Sequence, residues 1–221
     1  MRNEDLMWCI RHTPKEVKNA MESLGPKVSI GGGFIRSCIT GDKLNDIDMF
    51  VDSKDTRDRV VEMLKGMTMK VVYSKNAYTL ITHSTPIQVI FRWLYPNPSD
   101  ILRDFDFTIS CAVMWFDNGV WVGKVHGDYY QDLAAKRLVY TYPNRDEDAG
   151  GSALRVLKYY RKGYNITLNS YAGVISRLVS GIRNDGGSVV TDEKERAKIL
   201  TGLLVEVDPS AVLGSEIVRE E

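Results

Sequence analysis

Two aspartates one residue apart, Asp46 and Asp48, are the side chains of this 221-residue chain best suited to chemistry. In Asn45-Asp46-Ile47-Asp48-Met49-Phe50-Val51, Ile47, Met49 and Val51 alternate with Asp46, Asp48 and Phe50. That is the period of a strand, and it puts both carboxylates on one face. Carboxylates held side by side repel unless a cation lies between them or one carries a proton. A hard divalent ion such as Mg²⁺ removes the repulsion, taking oxygens from carboxylates and from a substrate's phosphates. Two-metal phosphoryl-transfer sites, with ions roughly 3.5–4 Å apart, are built on such pairs. Upstream lies Gly32-Gly33-Phe34-Ile35-Arg36. Val28-Ser29-Ile30 reads as a strand end, Gly31 to Gly33 as a break, and Phe34, Ile35, Cys38 and Ile39 as a helix face stopped by Gly41. A strand, a glycine turn and a helix start aim unpaired N–H groups at an anion. Gly32 and Gly33 admit phosphates where a side chain would clash, and Arg36 offers a bidentate phosphate contact. Each feature alone has an ordinary reading: a turn, a solvated strand edge, a surface arginine paired with Asp42 or Asp46. Their combination at this spacing points to a nucleotide-handling site.

These motifs resemble the signature of the DNA polymerase β-type nucleotidyltransferase superfamily, closest to bacterial CCA-adding tRNA nucleotidyltransferases and poly(A) polymerases. Ser37 stands where that branch has an aspartate after the arginine. The resemblance continues through Arg103-Asp104-Phe105-Asp106-Phe107-Thr108-Ile109-Ser110, through Asp132-Leu133 with Lys136-Arg137-Leu138, and through Ala153 to Tyr159, similar to the first neck helix. It implies nucleotidyl transfer from ATP or CTP to an RNA 3′ end, such as that of a tRNA, with release of pyrophosphate. Asp46 and Asp48 would then hold Mg²⁺, Gly32, Gly33 and Arg36 would bind nucleotide, and Asp106 would complete the catalytic set. The third carboxylate of related enzymes falls in Ile87 to Arg92, where this chain has Gln88. An amide brings no charge and cannot act as a base. Asp106, inside an apolar run, needs a partner: a metal or nucleotide, or an ion pair with Arg36 or Arg92. Asp104 reads as a surface residue. The Glu-Asp-x-x-Arg element that reads the incoming base in CCA-adding enzymes is absent, since Ala149 and Ser152 occupy the two reading positions. Arg155, Lys158 and Arg161, interleaved with Tyr159, Tyr160 and Tyr164, form either an RNA-binding helix surface or a solvated face over core tyrosines. Other acceptors stay open: a small molecule, a protein, or a tRNA in a toxin or defence role. So does a degenerate head that binds nucleotide or RNA without catalysis.

The elements that must position these residues form an α+β pattern. Pro14 to Leu24 reads as a helix capped by Thr13, and Lys54 to Leu64 as a second. Strands are expected at Asp46–Val51, Met69–Tyr73, Tyr78–Thr82 and Ile87–Phe91, then a short helix at Ser99–Arg103 and a long strand at Phe105–Phe116. Asp117-Asn118-Gly119 signals a hairpin into Val120–Val122. Beyond Tyr142 the pattern turns helical, with helices at Leu154–Arg161, Tyr171–Leu178 and Glu193–Val205, a soft linker at Asn184–Ser188 and a frayed tail after Pro209. The expected organisation is a mixed-sheet nucleotidyltransferase head, residues 1–148, followed by a helical neck-like domain, residues 149–221.

Composition bounds the reading. A hydrophobic content of 43% suffices for a sizeable core. Charges balance at 29 against 29, so no global basic field draws in a polyanion. Cys9, Cys38 and Cys111 read as reduced core residues rather than a disulfide or zinc framework. No run approaches the roughly 18 apolar residues of a membrane span, and the N-terminus lacks a secretory pattern. The expectation is a cytoplasmic protein with no membrane partner.

Overall fold

The first thirteen residues, to which the sequence reading assigned no element, form helix α1 (Asn3–His12) in the computed structural model. Leu6, Cys9 and Ile10 are its buried side, while Glu4 and Asp5 at its start and Arg11 and His12 at its end suit the helix dipole. Thr13 closes α1 instead of capping the next helix: its Oγ1 donates to the Cys9 carbonyl at 2.9 Å. Pro14 therefore takes the N-cap of α2 (Lys15–Leu24). The structure describes residues 1–143, 150–180 and 190–207. The chain divides into two compact units, Met1–Gln131 and Asp132–Glu221. The boundary expected near residue 148, the linker at 184–188 and the tail after Pro209 lie outside the described residues.

In the first unit, β1 (Val28–Gly31) runs into α3 (Gly33–Thr40), and β2 (Ile47–Val51) into α4 (Lys54–Leu64). Ser53 caps α4, its side chain accepting from the Thr56 N–H at 3.1 Å. Strands β3 (Lys70–Tyr73), β4 (Ala77–Ile81), β5 (Ile87–Ile90), β6 (Ala112–Asp117) and β7 (Val120–Val125) follow, and α5 (Tyr129–Ala134) crosses the unit boundary. The sheet order is β3-β4-β5-β2-β1-β6-β7, with only β2 and β5 parallel to each other. The expected hairpin joins β6 to β7 through Asn118 at φ 48° and Gly119 at φ 84°, the two positive angles of a type I′ turn.

The long strand expected at 105–116 is half as long. Only Ala112–Asp117 pairs in the sheet, and Thr108–Ser110 is a 3₁₀ turn. The Ser110 and Cys111 N–H groups bond back to the carbonyls of Phe107 and Thr108. This stretch stays apolar because it builds a second core, not because it continues the strand. Tyr95, Ile101, Phe105, Cys111, Val113 and Trp115 cluster around Phe50 on one sheet face. The opposite face is the main core, where α2, α3 and α4 pack over β1, β2 and β5.

In the second unit, β8 (Arg137–Leu138) pairs with β9 (Asn165–Ile166), and the described residues also form helices α6 (Gly150–Tyr160), α7 (Leu168–Ser180) and α8 (Glu193–Val207). Asp132 is buried and accepts from Arg137 Nε at 2.8 Å and Nη2 at 2.6 Å. A buried carboxylate oxygen that accepts two N–H groups from one edge of a guanidinium is a strong charge-assisted pair. It tethers the end of α5 to β8.

Candidate active site

Asp46 and Asp48 lie on the same face of the sheet. Ile47, Met49 and Val51 between and beyond them are buried in the helix-covered core, while the two aspartates are half-exposed on the other side. Their face is closed further along β2, where Phe50 meets Tyr95 and Phe105 edge-on at 5.9 Å each. One strand step earlier, at Asp48, the second core ends and the face opens. The carboxylates therefore sit at the rim of an apolar wall, accessible to a solute.

Register places further groups around them. In the parallel β2–β5 pairing Asp48 stands beside Gln88, and in the antiparallel β5–β4 pairing Gln88 stands beside Thr79. Paired residues share a face, so Asp48, Gln88 and Thr79 form a polar row across three strands. The Gln88 amide nitrogen donates to Asp46 Oδ2 at 3.5 Å, a long contact. Gln88 therefore occupies the neighbourhood of a third carboxylate without supplying charge. Two carboxylates and one amide oxygen are hard donors that suit Mg²⁺, an ion that takes its remaining ligands from water and substrate phosphate. Among the described residues no group of three or more His, Cys, Asp and Glu side chains gathers to hold a metal unaided.

The glycine turn lies beside this row. Ile30 pairs with Met49, and the same register carries Gly31 across from Asp48. Gly32 is the N-cap of α3 with φ 69°, a conformation favouring glycine, and its N–H donates to the Ala112 carbonyl at 2.9 Å. A Cβ on Gly32 would lie 3.0 Å from the Phe105 ring, and one on Gly31 3.1 Å from it. These two glycines thus admit Phe105 closely, a use the sequence motif did not reveal. Gly33 is different: a Cβ there would meet only Arg36 Nη2, at 3.9 Å. It leaves open space at the first helical residue.

Arg36 is not a surface arginine; it is 4% exposed within α3. Asp106 is deeper still, 1% exposed, in the bend before the 3₁₀ turn rather than on a strand beside Thr108 and Ser110. Asp104, expected on the surface, is half-buried and accepts a 2.7 Å hydrogen bond from the Tyr95 hydroxyl, which fixes one wall of the second core. Arg155, Lys158 and Arg161 belong to the second unit, where Lys158 and Arg161 are exposed and Arg155 half-buried. Tyr159 and Tyr164 are buried and face each other at 5.7 Å, so they are core, whereas Tyr160 is exposed. The residues that sequence reasoning missed are Phe105, as the lid on the glycine turn, and Thr79. Only strand register reveals the second.

The fold has clear counterparts. A Thermotoga maritima CCA-adding enzyme complexed with tRNA matches 91% of this chain and 54% of its own at 15% identity and a TM-score of 0.55. A CCA-adding enzyme in complex with CTP matches 90% of this chain and 49% of its own, at 17% identity and 0.55. A complex with ATP gives 91%, 55%, 15% and 0.54. The sheet and its helices are the nucleotidyltransferase head fold of those enzymes, and this chain spans about half their length. A comparison with curated protein sequences gives no match. A family model described as Gabija anti-defense 2 family protein matches residues 3–136.

Proposed function

The chain belongs to the Gabija anti-defense 2 family, and from that premise we propose that it opposes host defence by metal-dependent nucleotidyl transfer. Nucleoside monophosphate would pass from ATP or CTP to an acceptor in the defence response, with pyrophosphate as the other product. The observation that carries this reading is the placement of Asp46 and Asp48 on one open face of β2, in register with Gln88 and next to the glycine turn. A Mg²⁺ ion held there would supply Lewis-acid polarisation of the α-phosphate. Asp46 and Asp48 would hold the ion, and Gln88 would orient the Asp46 carboxylate. The helix start at Gly33 would receive phosphate oxygens. Arg36 and Asp106 are both buried, so they would join the site only on a rearrangement that exposes them.

An RNA 3′ end is a second acceptor, favoured by the exposed Lys158, Tyr160 and Arg161 of the helical unit and by the tRNA complex of a fold relative. The test is incubation with each α-labelled nucleoside triphosphate and Mg²⁺, with either total RNA or an extract of cells carrying Gabija. Label entering RNA selects the RNA 3′ end, label entering protein or a small molecule selects a defence acceptor, and nucleotide binding without any transfer overturns the catalytic reading.

A further inference from the structure

The two edges of the seven-stranded sheet are treated differently. At β7 the edge is covered: the Met1 ammonium donates to the Gly123 carbonyl at 3.3 Å, and α1 packs against the strand. Gly123 has no side chain to spare, since a Cβ there would strike Met1 Sδ at 2.9 Å. At β3 no helix or chain terminus of the first unit covers the strand in the same way. Lys70↔Ile81 through Tyr73↔Tyr78 pair it to β4 on one side, and the Ser74 N–H bonds the Ala77 carbonyl. By the alternation of antiparallel pairing, the main-chain groups of Val71 and Tyr73 then face away from β4.

Three observations mark this edge as a binding surface. First, four of the eight exposed large apolar side chains of the first unit fall between residues 63 and 73: Met63, Met69, Val72 and Tyr73, the last 68% exposed. An uncovered edge with apolar side chains invites aggregation unless something occupies it. Second, a cavity of about 290 Å³ runs along the strand, lined by Val61 and Lys65 of the α4 side and by Met69, Lys70, Val71 and Tyr73. Third, the chain is electrically neutral overall, yet residues 63–99, which include β3, β4 and β5, hold three lysines and one arginine and no acidic residue, with Lys70 on the sheet face away from Val71 and Tyr73. Glu62 also lines the cavity, touching Lys65 at 3.4 Å with both ends in water. So exposed a pair contributes little and gives way to a better-placed partner.

We propose that β3 is a docking edge for an extended segment of a partner protein in which apolar and acidic residues alternate. The segment adds an eighth strand by main-chain hydrogen bonding. Its apolar side chains enter the cavity against Val61, Val71 and Tyr73. Its acidic side chains lie on the other face, next to Lys70 and Val72, where charge complementarity sets strand direction and register. Lys70 and Val72 share the sheet face of Thr79, Gln88 and Asp48, but β3 stands three strands from β2, roughly 14 Å away, so the edge brings a partner to the protein without covering the aspartates.

The test uses the full chain and a fluorescein-labelled synthetic peptide of alternating valine and glutamate, compared with the same peptide carrying lysine for glutamate. Fluorescence anisotropy in about 50 mM salt is expected to show saturable binding, at least about tenfold tighter for the glutamate peptide. N-methylation of the strand-facing peptide amides should abolish it. Lys70→Glu should reverse the charge preference, and Asp46→Ala should leave binding unchanged. No saturable binding, equal affinity for both peptides, or indifference to N-methylation would overturn the proposal. So would a dimer in sedimentation without peptide that dissociates when peptide is added, which assigns the edge to a second copy. Displacement of the peptide by single-stranded RNA at equal concentration would assign the basic edge to nucleic acid and overturn it too.

Discussion

Along β2, two environments alternate one residue at a time. Ile47, Met49 and Val51 are at most 1% exposed beneath α3 and α4, while Asp46 and Asp48 stand half-exposed on the opposite face. The first set contributes roughly 1.5–3 kcal/mol per side chain by burial. The second set opposes it through like-charge repulsion, which for two unit charges about 4 Å apart reaches only ~1 kcal/mol in water and ~4 kcal/mol near a protein surface. Burial therefore wins, and the strand holds its carboxylates in place with or without a cation. Anchoring and the proposed chemistry fall to separate residues of one stretch of chain, so they should fail separately.

The largest separation is expected from Asp46→Ala combined with Asp48→Ala. Removing both carboxylates should lower nucleotidyl transfer by on the order of 10³-fold, about 4 kcal/mol of lost transition-state stabilisation. Thermal melts should meanwhile show Tm unchanged or slightly raised, because the repulsion is gone. A collapse of Tm in that variant would falsify the division between the faces. The converse is Met49→Ala, one residue from Asp48. A buried methionine cut to alanine should cost about 2–5 kcal/mol in urea unfolding, while the folded fraction keeps its transfer rate within a few-fold.

Much of this division was legible in the sequence. Alternation over 46–51 put the aspartates together, and the stripe of Val60, Val61 and Leu64 marked the helix at 54–64 that the structure shows over the same residues. Asn118-Gly119 likewise announced its turn. The run 105–116 misled because its apolar residues serve a second core through a bend, and hydrophobicity alone does not distinguish a strand from a bend buried on the same sheet. The short helix at 3–12 was hidden because Met7 and Trp8, both about half exposed, blur its polar side. The neighbours of the aspartates were hidden for a different reason. Gln88 reaches Asp48 through a parallel pairing forty residues away, so only the family resemblance pointed to it, and Thr79, one strand further, was found by register alone. The glycine and aspartate motif resembled nucleotidyltransferases and so led to the fold. It did not lead to the Gabija anti-defense 2 family, because groups that handle phosphate and metal say nothing about the acceptor.

The glycine turn sharpens the comparison from the other side of Asp48. Gly32→Ala must adopt φ 69° and bring a Cβ to 3.0 Å from Phe105. The strain should cost about 1–3 kcal/mol in urea unfolding. Phe105→Ala in the same chain should recover the steric part and leave the backbone part. Full recovery would mean that the left-handed conformation costs nothing here, and no recovery would mean that the ring is not the obstacle.

Gln88→Glu gives the smallest and most discriminating effect. It adds a third carboxylate beside Asp48 and removes the amide that donates to Asp46 at 3.5 Å. Without divalent cation, the added charge should destabilise the fold by about 1 kcal/mol. With Mg²⁺ present the same charge becomes a ligand, so the loss should reverse and Mg²⁺ should bind about tenfold tighter, ~1.4 kcal/mol. Calorimetric titration with Mg²⁺ and melts with and without it measure both signs on one variant, independent of any acceptor. A merely solvated acidic face would show the destabilisation alone. Recovery specific to Mg²⁺, absent with equal ionic strength of Na⁺, distinguishes a bound ion from screening, because screening acts on every charge of the face while coordination acts only where the three oxygens converge.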